Sequence, residues 1–326
     1  RYVTDNAGVI AFDEPGLMGM EVFFSVNGHG YEVSKDGFGI RGVRVTPKAG
    51  EKLSVKVKRV NIAERLHRVT GDGLFAESVK AGREVPFDTS GKNARVLGCD
   101  SVFMAPYGDR LFWIWGDTTQ AKYPLGNFHT TAATTANKLD PEKPYQFDYL
   151  DDGKGFVKGS VPMKGDGPTW VESLLTLPGK DGKERLWCEC VKVDTKMTPK
   201  ARGLAVYDDA KKEFVQHTEV PLTTPALPTG HTLKHEDYVY FGNPFPLVRV
   251  PATEAAFTDL TKYEAFTCLK PGSTVAKPEI VAQYRKKYGL DKPLPLQYLL
   301  YLRNLARGDL GLSLTTQRPV VTDLRT

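Results

Sequence analysis

Carboxylates set beside indole rings are the side chains in this 326-residue chain best suited to chemistry. Asp117 follows Trp113 and Trp115 in Phe-Trp-Ile-Trp-Gly-Asp, Glu172 follows Trp170 in Thr-Trp-Val-Glu, and Asp100 precedes the strand that leads into the first group. Indole faces stack on the C–H groups of a pyranose while carboxylates perform acid and base work, so this grouping points to a sugar site. Asp100, Asp117 and Glu172 are therefore the candidate catalytic residues, with Trp113, Trp115 and Trp170 as candidate ligand platforms. The competing reading makes Asp100 and Asp117 acceptors of backbone N–H groups in tight turns and puts Trp113 or Trp115 in the core.

Histidine and arginine extend the set. His231 lies four residues before His235, but turn formers surround them and supply no helix on which an i, i+4 zinc pair would converge, so no metal is expected. His129 and His231 remain candidates for positioning a ligand hydroxyl. Arg202 and Arg249 each offer a planar fork that suits a carboxylate or sulfate, and each equally suits a surface ion pair. No Gly-x-Ser-x-Gly elbow, phosphate loop, Cys-x-x-Cys pair or dinucleotide fingerprint occurs, so no cofactor is expected. Cys188 and Cys190 are two apart on one face of a predicted strand, where they cannot easily bridge each other, and read as buried free thiols.

The elements that must carry these residues are strands. Val9–Phe12, Glu21–Val26 and the alternating Leu53–Lys58 run, separated by Asn27-Gly28 and Lys35-Asp36-Gly37, predict a small β-sandwich over residues 1–69 with His29 in a turn beside Tyr31. After a linker around 70–95, strands are predicted at 101–105, 110–115, 173–177, 185–193, 203–207, 238–241 and 247–250. The segments YGDRLFWIWGDT, KDGKERLWCECVKV and HEDYVYFGNPFPLVRV repeat one pattern, a polar or Gly entry, an aromatic strand and a turn. That weak self-similarity favours a β-propeller-like domain over residues 70–269 above a Greek-key sandwich.

From Pro278 to Gly308 the spacing turns helical. Pro278-Glu279 opens one predicted helix, stopped by Gly289, and a second runs from Leu296 to about Ala306, giving an α-helical hairpin within residues 270–326. Charge breaks at the same place: residues 271–326 hold nine Lys/Arg against four acids, whereas the first 270 residues balance at 35 of each. A neutral main body gives no argument for nucleic acid binding. No run approaches the roughly 18 apolar residues that span a bilayer. Arg1 is no initiator, so any signal peptide would lie upstream.

Three resemblances follow from these motifs. Asp5-x-x-Gly8-x-x-x-Phe12, an aromatic strand, Gly-His-Gly-Tyr-Glu and the closing Leu-Ser-Val-Lys-Val resemble the carboxypeptidase regulatory-like, transthyretin-like fold, a module that is usually non-catalytic. FWIWGDTT followed by YPLGNFHTTAATT resembles secreted bacterial propeller proteins related in shape to five-bladed glycosidase propellers, over residues 60–269. PEIVAQYRKKYGLDKPLPLQYLLYLRNLARGDLGLSLTTQRPV resembles the N-terminal periplasmic segment of dipeptide/oligopeptide-type ABC transporter permeases, over residues 270–324. Neither membrane helix that flanks this segment in the family is here, nor is the loop that engages an ATPase. The resemblances together imply an extracytoplasmic, periplasmic or secreted, binding protein for a carbohydrate or cell-surface ligand. Its tail implies a solute-binding protein or permease as partner. A glycosidase-like hydrolase and a non-catalytic structural surface module are the alternatives, and the join near residue 270 reads as a fusion, a chimera of two neighbouring coding regions or a docking hairpin.

Overall fold

The computed structural model describes residues 1–63, 66–87, 94–122, 129–224, 229–243, 248–265, 286, 289, 291–307 and 309. Two compact units divide the chain, Arg1–Phe266 and Thr267–Thr326. Among the described residues the architecture is mainly β, built of several small antiparallel sheets.

The N-terminal strands are short. β1 (Val22–Ser25) pairs with β3 (Gly42–Val45), and β2 (Tyr31–Glu32) pairs with β4 (Lys58–Arg59), giving two separate two-stranded ladders where a sandwich was expected. The alternating run 53–58 joins a ladder only at its last residue, and Leu53, Val55 and Val57 are 48%, 42% and 48% exposed. Alternation without a covering layer buries no face. Val9–Phe12 forms no strand either. Instead the Asp5 carboxylate accepts the N–H groups of Ala7, Val9 and Ser78, tying the first residues to the helix Ala76–Lys80 inside the stretch read as linker. His29 does lie in a turn, closed by a bridge between Gly28 and Tyr31.

Beyond residue 95 the order becomes regular. β5 (Val96–Cys99) pairs with β8 (Thr118–Gln120). Three four-stranded sheets follow, each formed by strands consecutive along the chain apart from the β8 insertion. Sheet I holds β6 (Val102–Tyr107), β7 (Arg110–Trp115), β9 (Thr131–Ala136) and β10 (Asp148–Tyr149). Sheet II holds β11 (Thr169–Pro178), β12 (Glu184–Val193), β13 (Pro199–Asp208) and β14 (Glu213–Val220). Sheet III holds β15 (Thr229–His235), β16 (Tyr238–Asn243), β17 (Val248–Pro251) and β18 (Glu264–Ala265).

Sheet II is the middle layer. Side chains alternate between faces along a strand, so Leu174, Leu186, Cys188 and Cys190 pack toward Phe112 and Ile114 of sheet I. Leu175, Leu177, Trp187 and Leu204 pack toward Val239, Phe241 and Val250 of sheet III. With both faces covered, β12 is buried from Leu186 to Val193 without interruption. Cys188 and Cys190 are fully buried free thiols, on the face toward sheet I. The first strands of the sheets lie side by side: the Thr176 hydroxyl donates to the Pro106 carbonyl, and the Thr232 hydroxyl donates to the Leu174 carbonyl at 2.9 Å.

In the second unit a helix spans Leu294–Ala306, two residues earlier than its apolar spacing predicts, with Pro295 inside its first turn where a missing N–H costs nothing. The first helix expected there, from Pro278, lies outside the described residues, save that Lys286 is helical and Gly289, at φ +66°, turns the chain. Among the described residues no helix is long and apolar enough to cross a membrane.

Candidate functional site

Antiparallel pairing gathers most of the candidate residues at one end of the sheets. In sheet I, Val102, Trp115 and Thr131 are cross-strand partners, so the start of β6, the end of β7 and the start of β9 coincide. In sheet II the equivalent row is Trp170, Val191, Arg202 and Val220. These two ends adjoin: Thr130 N–H donates to the Thr169 carbonyl at 3.1 Å, and Val171 N–H donates to the Thr130 hydroxyl at 3.0 Å. His231, at the start of β15, sets its ring 4.8 Å from that of Phe103 in β6.

Entry to β11 depends on Gly167. It sits at φ +92°, and a Cβ there would lie 2.1 Å from the Val193 carbonyl oxygen, so only glycine lets the chain turn tightly against the end of β12. Trp170 then pairs with Val191. Between Val171, opposite Cys190, and Ser173, opposite Glu189, one residue of β11 has no partner, and that residue is Glu172. A bulge of this kind re-aims the side chain of its extra residue.

Glu172 is aimed at Arg202. Nη1 of Arg202 lies 3.0 Å from Oε2 of Glu172 and donates to Oε1 of Glu189 at 3.4 Å. The side chain of Glu172 is 30% exposed, that of Arg202 12% and that of Glu189 0%. The three therefore descend from the surface into the layer between sheets II and III. Burial foremost, then the Glu172 charge, hold the Glu189 carboxyl well above the usual carboxylate range against the opposing pull of Arg202. Tyr263 closes the cluster from the sheet III side: its hydroxyl donates to the Phe257 carbonyl at 2.8 Å, and burial and then the Glu189 charge raise its pKa.

The other candidates are placed as follows. The Asp100 carboxylate accepts Ser101 N–H at 2.6 Å, its N–H donates to the Asp117 carbonyl at 2.8 Å, and its carbonyl accepts Gly116 N–H at 3.1 Å. Asp100 and Asp117 are thus joined through the backbone of a turn. Trp113 and Trp115 stack at 7° with centroids 6.3 Å apart and pack against Phe147, and the Trp113 indole N–H donates to the Thr135 hydroxyl at 2.8 Å. Trp115 is 3% exposed, in an aromatic cluster on the face of sheet I opposite Phe112. His129 accepts Thr169 N–H on Nδ1 at 3.3 Å, and burial and then the charge of buried Lys192 lower its pKa, so it is a neutral seam residue between sheets I and II. Arg249 donates to Glu264 at 2.8 Å and stacks 4.0 Å over Tyr238 at the far edge of sheet III. Among the described residues no cluster of His, Cys, Asp and Glu could hold a metal ion.

Glu189 escaped sequence reasoning, although one signal was available. A lone acid inside Leu-Trp-Cys-Glu-Cys-Val, an otherwise continuous apolar strand, marks a buried charge that needs a partner.

Comparison with known proteins finds short matches to transport permeases. The dipeptide transport system permease protein DppB of Alkalihalophilus pseudofirmus is 41% identical over 49 residues, 15% of this chain and 15% of the permease. The probable D,D-dipeptide transport system permease protein DdpB of Escherichia coli is 46% identical over 50 residues, 15% of each chain. The oligopeptide transport system permease protein OppB of Haemophilus influenzae is 43% identical over 61 residues, 17% of this chain and 20% of the permease. The chain thus spans no more than a fifth of the length of these curated relatives. No protein-family profile matches it, and no solved structure matches it significantly.

Proposed function

We propose that the chain is an extracytoplasmic binding protein whose three four-stranded sheets are blades of a propeller-like domain and whose ligand is a saccharide held at the Trp170 end of sheet II. The observation that carries this reading is the bulge at Glu172, which presents a partly exposed carboxylate, salt-bridged to Arg202, beside the row that holds Trp170. A carboxylate and a guanidinium fixed by each other offer acceptors and donors to ligand hydroxyls, and an indole on the same face offers a stacking surface.

Binding is favoured over hydrolysis for this cluster. Glycosidase carboxyl groups stand on either side of a scissile bond that both must reach, whereas Glu172 and Glu189 both turn to one nitrogen of Arg202 and Glu189 is wholly buried. The short permease-like stretch supports a second role, contact with a transporter component. The relatives' transport activity is not carried over by a match of this extent. Titration calorimetry against defined oligosaccharides tests the ligand: Trp170→Ala and Glu172→Gln should each weaken binding by about 1–3 kcal/mol. Absence of saccharide binding, or binding indifferent to both changes, would overturn it.

A further inference from the structure

We propose that Glu189 is a positioning residue for this site, sharing one proton with Glu172 so that the two carboxyl groups together clamp the Arg202 guanidinium. One orphan atom and one shared nitrogen argue for it. Oε2 of Glu189 is buried without a hydrogen-bond partner, while the buried Oε2 of Glu172 and Oε1 of Glu189 meet the same Nη1 of Arg202, at 3.0 and 3.4 Å. A buried carboxylate oxygen left unpaired is costly. One proton between the two carboxyl groups removes their repulsion and gives Oε2 of Glu189 a hydrogen to share, as happens wherever two carboxylates occupy one site.

Charge leads to the same count. Two ionised carboxylates against one guanidinium would leave the cluster with a net charge of about −1 beneath sheet III, whereas a single retained proton makes it neutral. The titratable groups set around Glu189 are Glu172 on β11, Arg202 on β13, Tyr263 beside sheet III, the Cys188 and Cys190 thiols on the opposite face of β12, and His217 on β14, whose ring meets Trp187 at 5.1 Å. Arg202 is the cation in contact with it, at 3.4 Å. The raised pKa of Glu189, caused first by burial and next by the Glu172 charge, has the direction this proton requires.

The sign of the pH effect is fixed. A carboxyl that keeps its proton in the folded chain but loses it in the unfolded chain stabilises the fold fully below the ordinary Glu value of 4.5 and loses that contribution as pH rises toward the folded pKa. Glu189→Gln replaces the shared proton with an amide donor and should remove this loss.

The ligand half of the proposal rests on the saccharide reading, and the proton half does not. Infrared difference spectroscopy of the full chain at neutral pH, wild type minus Glu189→Gln, should show the carbonyl band of a protonated carboxylic acid lost from the variant. The thermal midpoint of the wild type should fall between pH 5 and pH 8, and the variant should fall by less over that range. With a saccharide bound, wild-type affinity should drop at least threefold across the same range while that of the variant stays level. An unchanged acid band in the variant, or equal thermal slopes in the two proteins, would overturn the shared proton. If the band is lost but no saccharide binds, the proton pair stands and the ligand reading falls.

Discussion

Glu172 and Glu189 sit on adjacent strands without being cross-strand partners: Glu189 faces Ser173, and Glu172 is the extra residue that the bulge inserts beside it. Both nonetheless reach one nitrogen of Arg202, at 3.0 and 3.4 Å. The pair is therefore a product of the bulge. In a regular ladder the residue before Ser173 would alternate to the opposite face, toward sheet I, and would meet Cys188 and Cys190 instead of Arg202.

Removing the cation should expose how much the cluster depends on it. Arg202→Met leaves a fully buried Glu189 with no positive partner, and breaking a buried pair in this way costs about 3–5 kcal/mol. Urea unfolding at neutral pH checks the value. Combining it with Glu189→Gln should recover part of the loss, since the amide bears no charge, and the double mutant lying below the single one would contradict the account.

The two tryptophan groups should separate cleanly. Trp115→Ala empties a site that is 3% exposed and packed against Phe147 and Tyr149, so it should lower stability by about 3–5 kcal/mol. Trp170 is only half-buried and its truncation should cost stability less than that of Trp115. Parallel thermal melts decide the order.

Gly167→Ala should destabilise the entry to β11 although it adds one methyl group. The backbone there is at φ +92°, and the new Cβ would meet the Val193 carbonyl oxygen. Left-handed strain alone costs about 1–2 kcal/mol, so a loss of at least that size is expected in urea. Gly153→Ala, with a positive φ of +75° but open space around its Cβ, isolates the strain from the clash.

Acid should act on a different carboxylate. Hydrogen bonds from Thr198 N–H foremost, then the contact with Lys200, lower the pKa of Asp194 to about 2. A depressed folded value means that stability present above the unfolded value near 3.8 is lost as pH falls toward 2. Asp194→Asn should flatten that part of the acid melt, and an unchanged acid slope would reject the role of this turn.

How far the sequence reveals the molecule depends on which signal each element carries. Aromatic, apolar strands such as Arg110–Trp115 and Glu184–Val193 lie within a residue of their predicted bounds because packing on both sides agrees with propensity. Thr131–Ala136, Glu213–Val220 and Thr229–His235 were missed, since alanine, threonine and charged residues give no period and only their neighbours make them strands. The opposite failure is Leu53–Lys58, where alternation is strict but no second layer covers it. At the site, Glu172 and Arg202 were legible as chemistry. Their meeting was not, because it depends on a bulge and on Glu189, and neither spacing nor residue type records a bulge.

Each of sheets I, II and III is completed by strands that follow one another along the chain, and sheet II touches each neighbour mainly through its adjoining face and first strand. A chain arranged this way closes most of its pairings over short loops, so each sheet can form before its neighbour is present. Gain or loss of sequence at a boundary between sheets would therefore disturb one interface instead of the whole core.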